Sequence, residues 1–157
     1  MFERSLLDRY LRGAWQPAEA IVGLSPEEMN ALPVPGTWSI RQIVLHLMDS
    51  DLIASDRMKR VIAEERPTLI GFDEAAFARN LYYDELDPGM ACDLFAKNRL
   101  LTAEILRRLP VSAFNRVGIH NERGELTLAN LVETYAGHLE HHLKFLHEKR
   151  RLLGKPL

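Results

Sequence analysis

The chain has 157 residues, of which 46% are hydrophobic and 27% are charged. These values are ordinary for a single folded domain spanning residues 1–157, and they exclude a disordered or collagen-like chain. The 20 Lys and Arg residues nearly balance the 22 Asp and Glu residues, so the formal net charge is −2. A chain without net positive charge is not expected to bind nucleic acid or an anionic membrane surface.

The single cysteine, Cys92, excludes a disulfide framework and any metal site made of cysteines alone. Its place in a helical pattern predicts a small core residue rather than a nucleophile. The sequence has no run of 18 apolar residues, and residues 1–5 carry an acid and a base with no signal-peptide core behind them. We therefore expect a cytoplasmic protein.

The first apolar pattern with helical spacing covers residues 6–22, and Pro17 interrupts it. Proline lacks a backbone N–H and its ring collides with the preceding turn, so a kink or break is expected near Gln16. Ser25 followed by Pro26 and two acids then predicts the start of one short helical turn.

The second pattern begins with the clearest helix start in the chain. Ser39 and Gln42 form a capping box, in which each side chain hydrogen-bonds to the backbone of the other residue. Apolar residues then recur at helical spacing until Pro67. Residues 72–77 predict a further short helix.

Two more long helices follow. The third is expected over residues 90–109, where Pro110 stops it, and the fourth, capped by Thr127, over residues 128–153. The connection over residues 112–125 is long enough to cross the end of a bundle, and strand patterns are scarce throughout. Four long helices without a sheet of consequence predict an all-α four-helix bundle.

Histidines are concentrated in the fourth helix, which carries four of the six within ten residues. His138 and His142 are four residues apart, so their side chains point only about 40° apart. That spacing lets two imidazoles bind one transition-metal ion. His142 also continues the apolar stripe, which places it in the core, where a polar ring needs a partner.

His46 is the third candidate ligand. It lies in the most apolar part of the second helix, residues 43–48, where an unpaired imidazole is costly. If it faces His138 and His142 across the bundle, three histidines from two helices form a metal site with open coordination positions. Imidazole ligands suit Zn, Ni, Cu and Fe, so the ligand set does not select the metal.

Each of these interpretations has a simpler alternative. A single histidine such as His46 is commonly a hydrogen-bonded core residue, and His138 with His141 forms a competing pair. His120 and His147 are expected to be solvated or to lie at the rim of the site. The charged residues of the fourth helix are expected to face solvent, with an i, i+4 ion pair between Glu140 and Lys144. The full set is Glu140, Lys144, Glu148, Lys149 and Arg150.

Two segments resemble the signatures of the DinB-like family. Residues 37–49, TWSIRQIVLHLMD, are similar to its Trp-Ser motif with a downstream arginine and His-Leu-x-Asp. Residues 127–143, which end in HLEHHL, resemble its terminal helix. Residues 72–79 and the helix around Arg99 are similar in order and spacing, so the resemblance covers essentially the whole chain.

The resemblance implies a four-helix bundle of up-down-down-up topology, often a homodimer, with a three-histidine site that usually holds nickel or zinc. Carried over residue by residue, the metal ligands are His46, His138 and His142. Characterised members include metal-dependent S-transferases that use low-molecular-weight thiols such as bacillithiol or mycothiol, a mycothiol-dependent maleylpyruvate isomerase and metal-dependent hydrolases. The resemblance thus implies a divalent metal ion, a small-molecule substrate and a low-molecular-weight thiol as candidate cosubstrate.

Three functions stay open at this point. A thiol S-transferase would use the metal to lower the pKa of the cosubstrate thiol, and a hydrolase would activate water in the same way. A non-catalytic bundle would only bind a metal or a small ligand.

Three carboxylates, Asp49, Asp51 and Glu140, are near the histidines in sequence, but the sequence does not identify any of them as a general base. Asp49 is also a candidate to fix a histidine tautomer, or else a solvated residue. The candidates to hold a cosubstrate carboxylate, each equally a surface cation, are Arg41, Arg79 and Arg99.

Overall fold

The computed structural model describes residues 4–157, so residues 1–3 of the N-terminal segment considered above lie outside the described part. Helices dominate the described residues, and none of them is long and apolar enough to cross a membrane. The helices are α1 (Arg4–Arg12), α2 (Gln16–Ala20), α3 (Pro26–Asn30), α4 (Ile40–Ala63), α5 (Glu74–Asn80), α6 (Pro88–Arg107) and α7 (Leu128–Leu152). The strands are β1 (Thr68–Leu69), β2 (Val117–His120) and β3 (Gly124–Thr127).

The predicted four-helix bundle is confirmed, with α1, α4, α6 and α7 as its long helices. Helices α4 and α7 run antiparallel. His46 in α4 lies beside His138 in α7. Arg57, three turns later in α4, donates a hydrogen bond to the hydroxyl of Tyr135, which comes earlier in α7 than His138. Apolar side chains from all four helices fill the space between them.

The helix starts agree with the sequence pattern. Ser39 and Gln42 form both hydrogen bonds of their capping box at the start of α4. Thr127 forms the equivalent pair with Asn130 at the start of α7. These two caps fix where the two histidine-bearing helices begin, and therefore which turn of each helix carries the histidines.

The break expected at Pro17 lies just before it, in the 3-10 turn Gly13–Trp15 between α1 and α2. The proline ring disturbs the turn that contains residue 13, four positions earlier, and the tighter 3-10 winding accommodates it. Gly13 also permits close packing there. A Cβ atom at this position would lie 2.4 Å from Cδ2 of Leu139 and 2.8 Å from Nη1 of Arg99.

A small three-stranded sheet corrects the expectation that no sheet of consequence exists. β1 pairs in parallel with β2, and β2 pairs antiparallel with β3, which begins after a turn at Gly124 with φ of 74°. The sheet lies against the end of α4, where a Cβ on Gly118 would be 2.8 Å from side-chain atoms of both Val61 and Leu69. The connection before α7 is therefore structured by strand pairing across about fifty residues of sequence.

A buried ion pair connects the long helices. The side chains of Arg99 in α6 and Asp51 in α4 are 2% and 1% exposed, and Nε donates to Oδ1 at 2.8 Å. The other guanidinium nitrogens donate to the backbone oxygens of Tyr10 at 3.2 Å and Tyr135 at 2.7 Å. Arg99 therefore touches α1, α4 and α7 as well as its own helix.

We predict that Asp51→Asn lowers the free energy of unfolding by about 3–5 kcal/mol, because it leaves the buried guanidinium of Arg99 without its counter-ion. Urea denaturation followed by circular dichroism measures this change. Glu104→Gln is the matched control, since the ion pair of Glu104 with Arg108 in the same helix α6 is exposed. Unfolding of both variants at the same urea concentration would contradict a stabilising role for Asp51 beside Arg99.

Candidate metal centre

The three predicted ligand residues converge between α4 and α7. A ring nitrogen of each of His46, His138 and His142 lies within 4.8 Å of the ring nitrogens of the other two. The ring centroids are 5.0 Å apart for His46 and His138, 4.7 Å for His46 and His142, and 4.6 Å for His138 and His142. The side chains thus form a nearly equilateral triangle.

The spacing of the triangle fits one metal ion. Two nitrogens bound at 2.0–2.1 Å to a tetrahedral zinc ion are about 3.3 Å apart. Nε2 of His46 lies 3.1 Å from Nε2 of His138, within a few tenths of an ångström of that separation. No carboxylate or thiol joins this group among residues 4–157, so the donor set consists of three imidazoles with further coordination positions open.

The protonation state also fits a metal site. Burial, together with the smaller effect of neighbouring histidines, lowers the pKa of His46 and of His138 to about 3 and that of His142 to about 4. Near pH 7 all three rings are therefore neutral and carry the lone pairs that a metal ion needs. Where nitrogens of two neutral rings face each other, only one hydrogen can lie between them. Some lone pairs in the triangle therefore lack a hydrogen, and a cation at the centre would bind them.

Two neighbours hold His46, which is fully buried. The indole ring of Trp38 has its centroid 4.8 Å from the His46 ring, and Oγ of Ser50, one turn along α4, lies 3.4 Å from Nδ1. No hydrogen bond joins Asp49 to a histidine ring among residues 4–157, so its suggested role in fixing the tautomer is wrong. Its carboxylate accepts a hydrogen bond from the hydroxyl of Tyr83. Ser50 takes the position beside the ring that the sequence pattern assigned to Asp49.

The other two carboxylates considered as general bases are also engaged elsewhere. Asp51 binds Arg99 and Asn98 in the core. Glu140 accepts two hydrogen bonds at 2.6 Å from Arg9 of α1, so the expected ion pair with Lys144 is replaced by one between helices.

The candidate arginines have different surroundings. Arg99 is buried in its ion pair and cannot reach a cosubstrate. Arg41 donates to the backbone oxygens of Glu85 and Leu86, and Arg79 is exposed. Cys92 is buried, as predicted, and burial raises the pKa of its thiol to about 12, which rules it out as a ready nucleophile.

The remaining histidines lie outside the triangle. His141 is exposed, with its ring against His142 and Phe145, and His147 is exposed as expected. His120 is only 4% exposed, and its Nδ1 accepts a hydrogen bond from the backbone N–H of Glu122. The expectation of a solvated His120 is wrong because β2 turns this side chain inward.

Two charged residues near the end of α7 are buried, contrary to the expectation of a solvent-facing side. Arg150 donates to the backbone oxygens of Ala20 and Val22, and so satisfies carbonyls at the end of α2. Nζ of Lys149 donates to Oγ1 of Thr37 at 2.6 Å. Both side chains are covered by segments that precede α4. The helical pattern of α7 alone carries no information about those segments.

Comparisons with known proteins agree with this fold. The profile of the DinB superfamily matches residues 10–146. A protein of Oceanobacillus iheyensis, provisionally named a metal-dependent hydrolase, is 30% identical over 123 residues, which cover 78% of this chain and 71% of that protein. YfiT of Bacillus subtilis, provisionally named in the same way, is 28% identical over 137 residues, which cover 87% of this chain and 77% of YfiT.

A solved structure extends the comparison to the fold. The structure of YfiT, described as having an unusual four-helix bundle topology, matches with a TM-score of 0.90 and 24% identity, covering 96% of this chain and 86% of that one. The profile match and the superposition both span most of the chain. The chain therefore belongs to the DinB superfamily.

Proposed function

We propose that this chain is a metal-dependent enzyme in which His46, His138 and His142 hold a divalent metal ion. The observation that carries the proposal is the convergence of three neutral imidazoles from two helices on one point. The relatives in Oceanobacillus and Bacillus that carry metal-dependent names support it. A bound divalent ion supplies a Lewis acid that lowers the pKa of a thiol or a water molecule beside it.

Transfer of a low-molecular-weight thiol to an electrophilic small molecule is the reaction that we favour. A thiol has a pKa close enough to neutral that a metal ion alone can ionise it. Water is a weaker acid, and its activation commonly uses a carboxylate base as well. Asp49, Asp51 and Glu140 are each hydrogen-bonded to another side chain, which leaves them poorly placed for that role.

The protein's own residues would then bind and orient the reactants. Trp38 and Ser50 hold the ring of His46 in place, and the apolar packing around His46 keeps water away from that side of the metal position. His138 and His142 are only half-buried, so a metal ion held by them would be reached from the outside of the bundle. A cosubstrate and an electrophile can meet on that side.

Hydrolysis is the second candidate, because the similar proteins are provisionally named metal-dependent hydrolases. Zinc- or nickel-loaded protein should be assayed with low-molecular-weight thiols and monochlorobimane, and separately with 4-nitrophenyl acetate. Turnover that requires a thiol supports the transferase. Ester hydrolysis without a thiol supports the hydrolase, and inactivity of the loaded protein in both assays would favour a non-catalytic binding bundle.

We predict that replacing His46, His138 or His142 with Ala weakens zinc binding by about two or more orders of magnitude, because each substitution removes a ligand. Isothermal titration of untagged, metal-free protein measures the affinity. His141→Ala is the matched control and should bind zinc like the wild type, since His141 lies outside the triangle. Loss of binding in His141→Ala with normal binding in His142→Ala would contradict this ligand assignment.

We also predict that the metal-free protein loses stability as the pH falls from about 6.5 toward 4. The three histidines have folded-state pKa values of about 3 to 4, so below 6.5 the unfolded chain binds protons that the folded protein excludes. Between pH 8 and 5.5, each should contribute about 1 kcal/mol to this loss.

Urea denaturation at pH 8 and at pH 5.5 tests this coupling between histidine protonation and stability. His138→Gln should lose about 1 kcal/mol less stability than the wild type over the interval, because its titrating ring is gone. His147→Gln, which changes an exposed histidine of the same helix, should lose as much as the wild type. An equal pH dependence in His138→Gln and the wild type would contradict the burial of neutral rings.

Nickel or zinc as the natural metal, a homodimer and a cytoplasmic location stay predictions from the family resemblance and composition. Metal analysis of untagged protein identifies the ion. Analytical ultracentrifugation measures the oligomeric state.

A further inference from the structure

A cavity of about 280 Å³ lies against the histidine triangle. The loop before α4 forms one wall with Val34 and Trp38, and α7 forms the opposite wall with His142 and Phe145. Trp38 also packs on the ring of His46, so this wall of the cavity contacts a second member of the triangle. Its walls are almost entirely apolar, so it suits the apolar body of a small molecule.

One buried cation, Lys149, is among the residues that line this cavity. Lys149 lies seven residues after His142 in α7, which places both side chains on the same face of the helix, about 10 Å apart along its axis. Lysine side chains in helices lean toward the N-terminus, so Lys149 reaches back toward His142. The residue is only 4% exposed.

Lys149 lacks a counter-ion in the described part of the chain. An ammonium group has three N–H donors, and the hydrogen bond found for Nζ goes to Oγ1 of Thr37 at 2.6 Å. Glu148, which lines the same cavity, forms its ion pair with Arg151 at 2.6 Å. No carboxylate among residues 4–157 pairs with Lys149. Burial lowers the pKa of its ammonium group, as expected where the charge lacks compensation.

We propose that the cavity binds a small molecule with an apolar body and one carboxylate or similar oxyanion, which pairs with Lys149. An unpaired buried charge is costly, and an oxyanion from a ligand offsets that cost. The apolar body then lies along Phe145 and Trp38 toward His142. This inference rests on the proposed function, since it names the class of substrate that is held beside the metal position.

The test uses hexanoate and its uncharged analogue hexan-1-ol as probes. The metal-free protein at pH 8 carries Trp15→Phe, so that Trp38, which lines the cavity, is the remaining tryptophan and its fluorescence reports binding. Hexanoate should bind at least about tenfold more tightly than hexan-1-ol, because a hydrogen bond to a charged group adds to the apolar contact. Equal binding of the two probes would overturn the proposal.

A substitution of the cation supplies the second arm. Lys149→Met keeps the apolar stem and removes the charge, so hexanoate affinity should fall about tenfold or more while hexan-1-ol affinity stays within about twofold. Lys144→Met, an exposed position on the same helix, should bind both probes like the parent protein. Unchanged hexanoate binding in folded Lys149→Met, as judged by its thermal melting, would overturn the proposal.

Zinc titration of the same variants separates this proposal from the proposed function. Lys149→Met should bind zinc like the parent, because the lysine is not a ligand. A parent protein that binds hexanoate through Lys149 but does not bind zinc would overturn the metal site and leave the oxyanion site standing.

Discussion

The buried guanidinium of Arg99 joins all four long helices at one point. It pairs with Asp51 of α4, donates to backbone oxygens of α1 and α7, and packs between the rings of Tyr10 and Phe95. Such a pair adds little net stability compared with apolar packing, but breaking it is costly. It therefore holds the four helices in one relative position. Its contact in α7, the carbonyl of Tyr135, lies one turn before His138. The same guanidinium therefore also fixes the position of the α7 histidines relative to α4.

The histidine triangle depends on that fixed arrangement. Apolar packing forces three neutral rings together, and their lowered pKa values express the cost of protonating any of them there. In the metal-free protein the facing nitrogens of His46 and His138 can share only one hydrogen. A metal ion satisfies every facing lone pair at once, which couples metal affinity to the packing of α4 against α7.

The sequence predicts the long helices and the helix faces that carry the three histidines, because both follow from local patterns. Helical spacing places His138 and His142 on one face, and an apolar setting marks His46 as buried. The misses depend on distant segments. β2 gains its partner from residues 68–69, so the burial of His120 has no local signal. Lys149 resembles a solvent-facing residue until the loop that carries Thr37 covers it.

X-ray absorption spectroscopy of the zinc-loaded protein tests the metal centre most directly, because it counts the ligands. We expect three imidazole nitrogens at about 2.0–2.1 Å, with oxygen or an added thiol in the remaining positions. The spectrum of His141→Ala should be the same. One or two imidazoles in the wild-type protein, or the loss of one in His141→Ala, would contradict a centre formed by His46, His138 and His142.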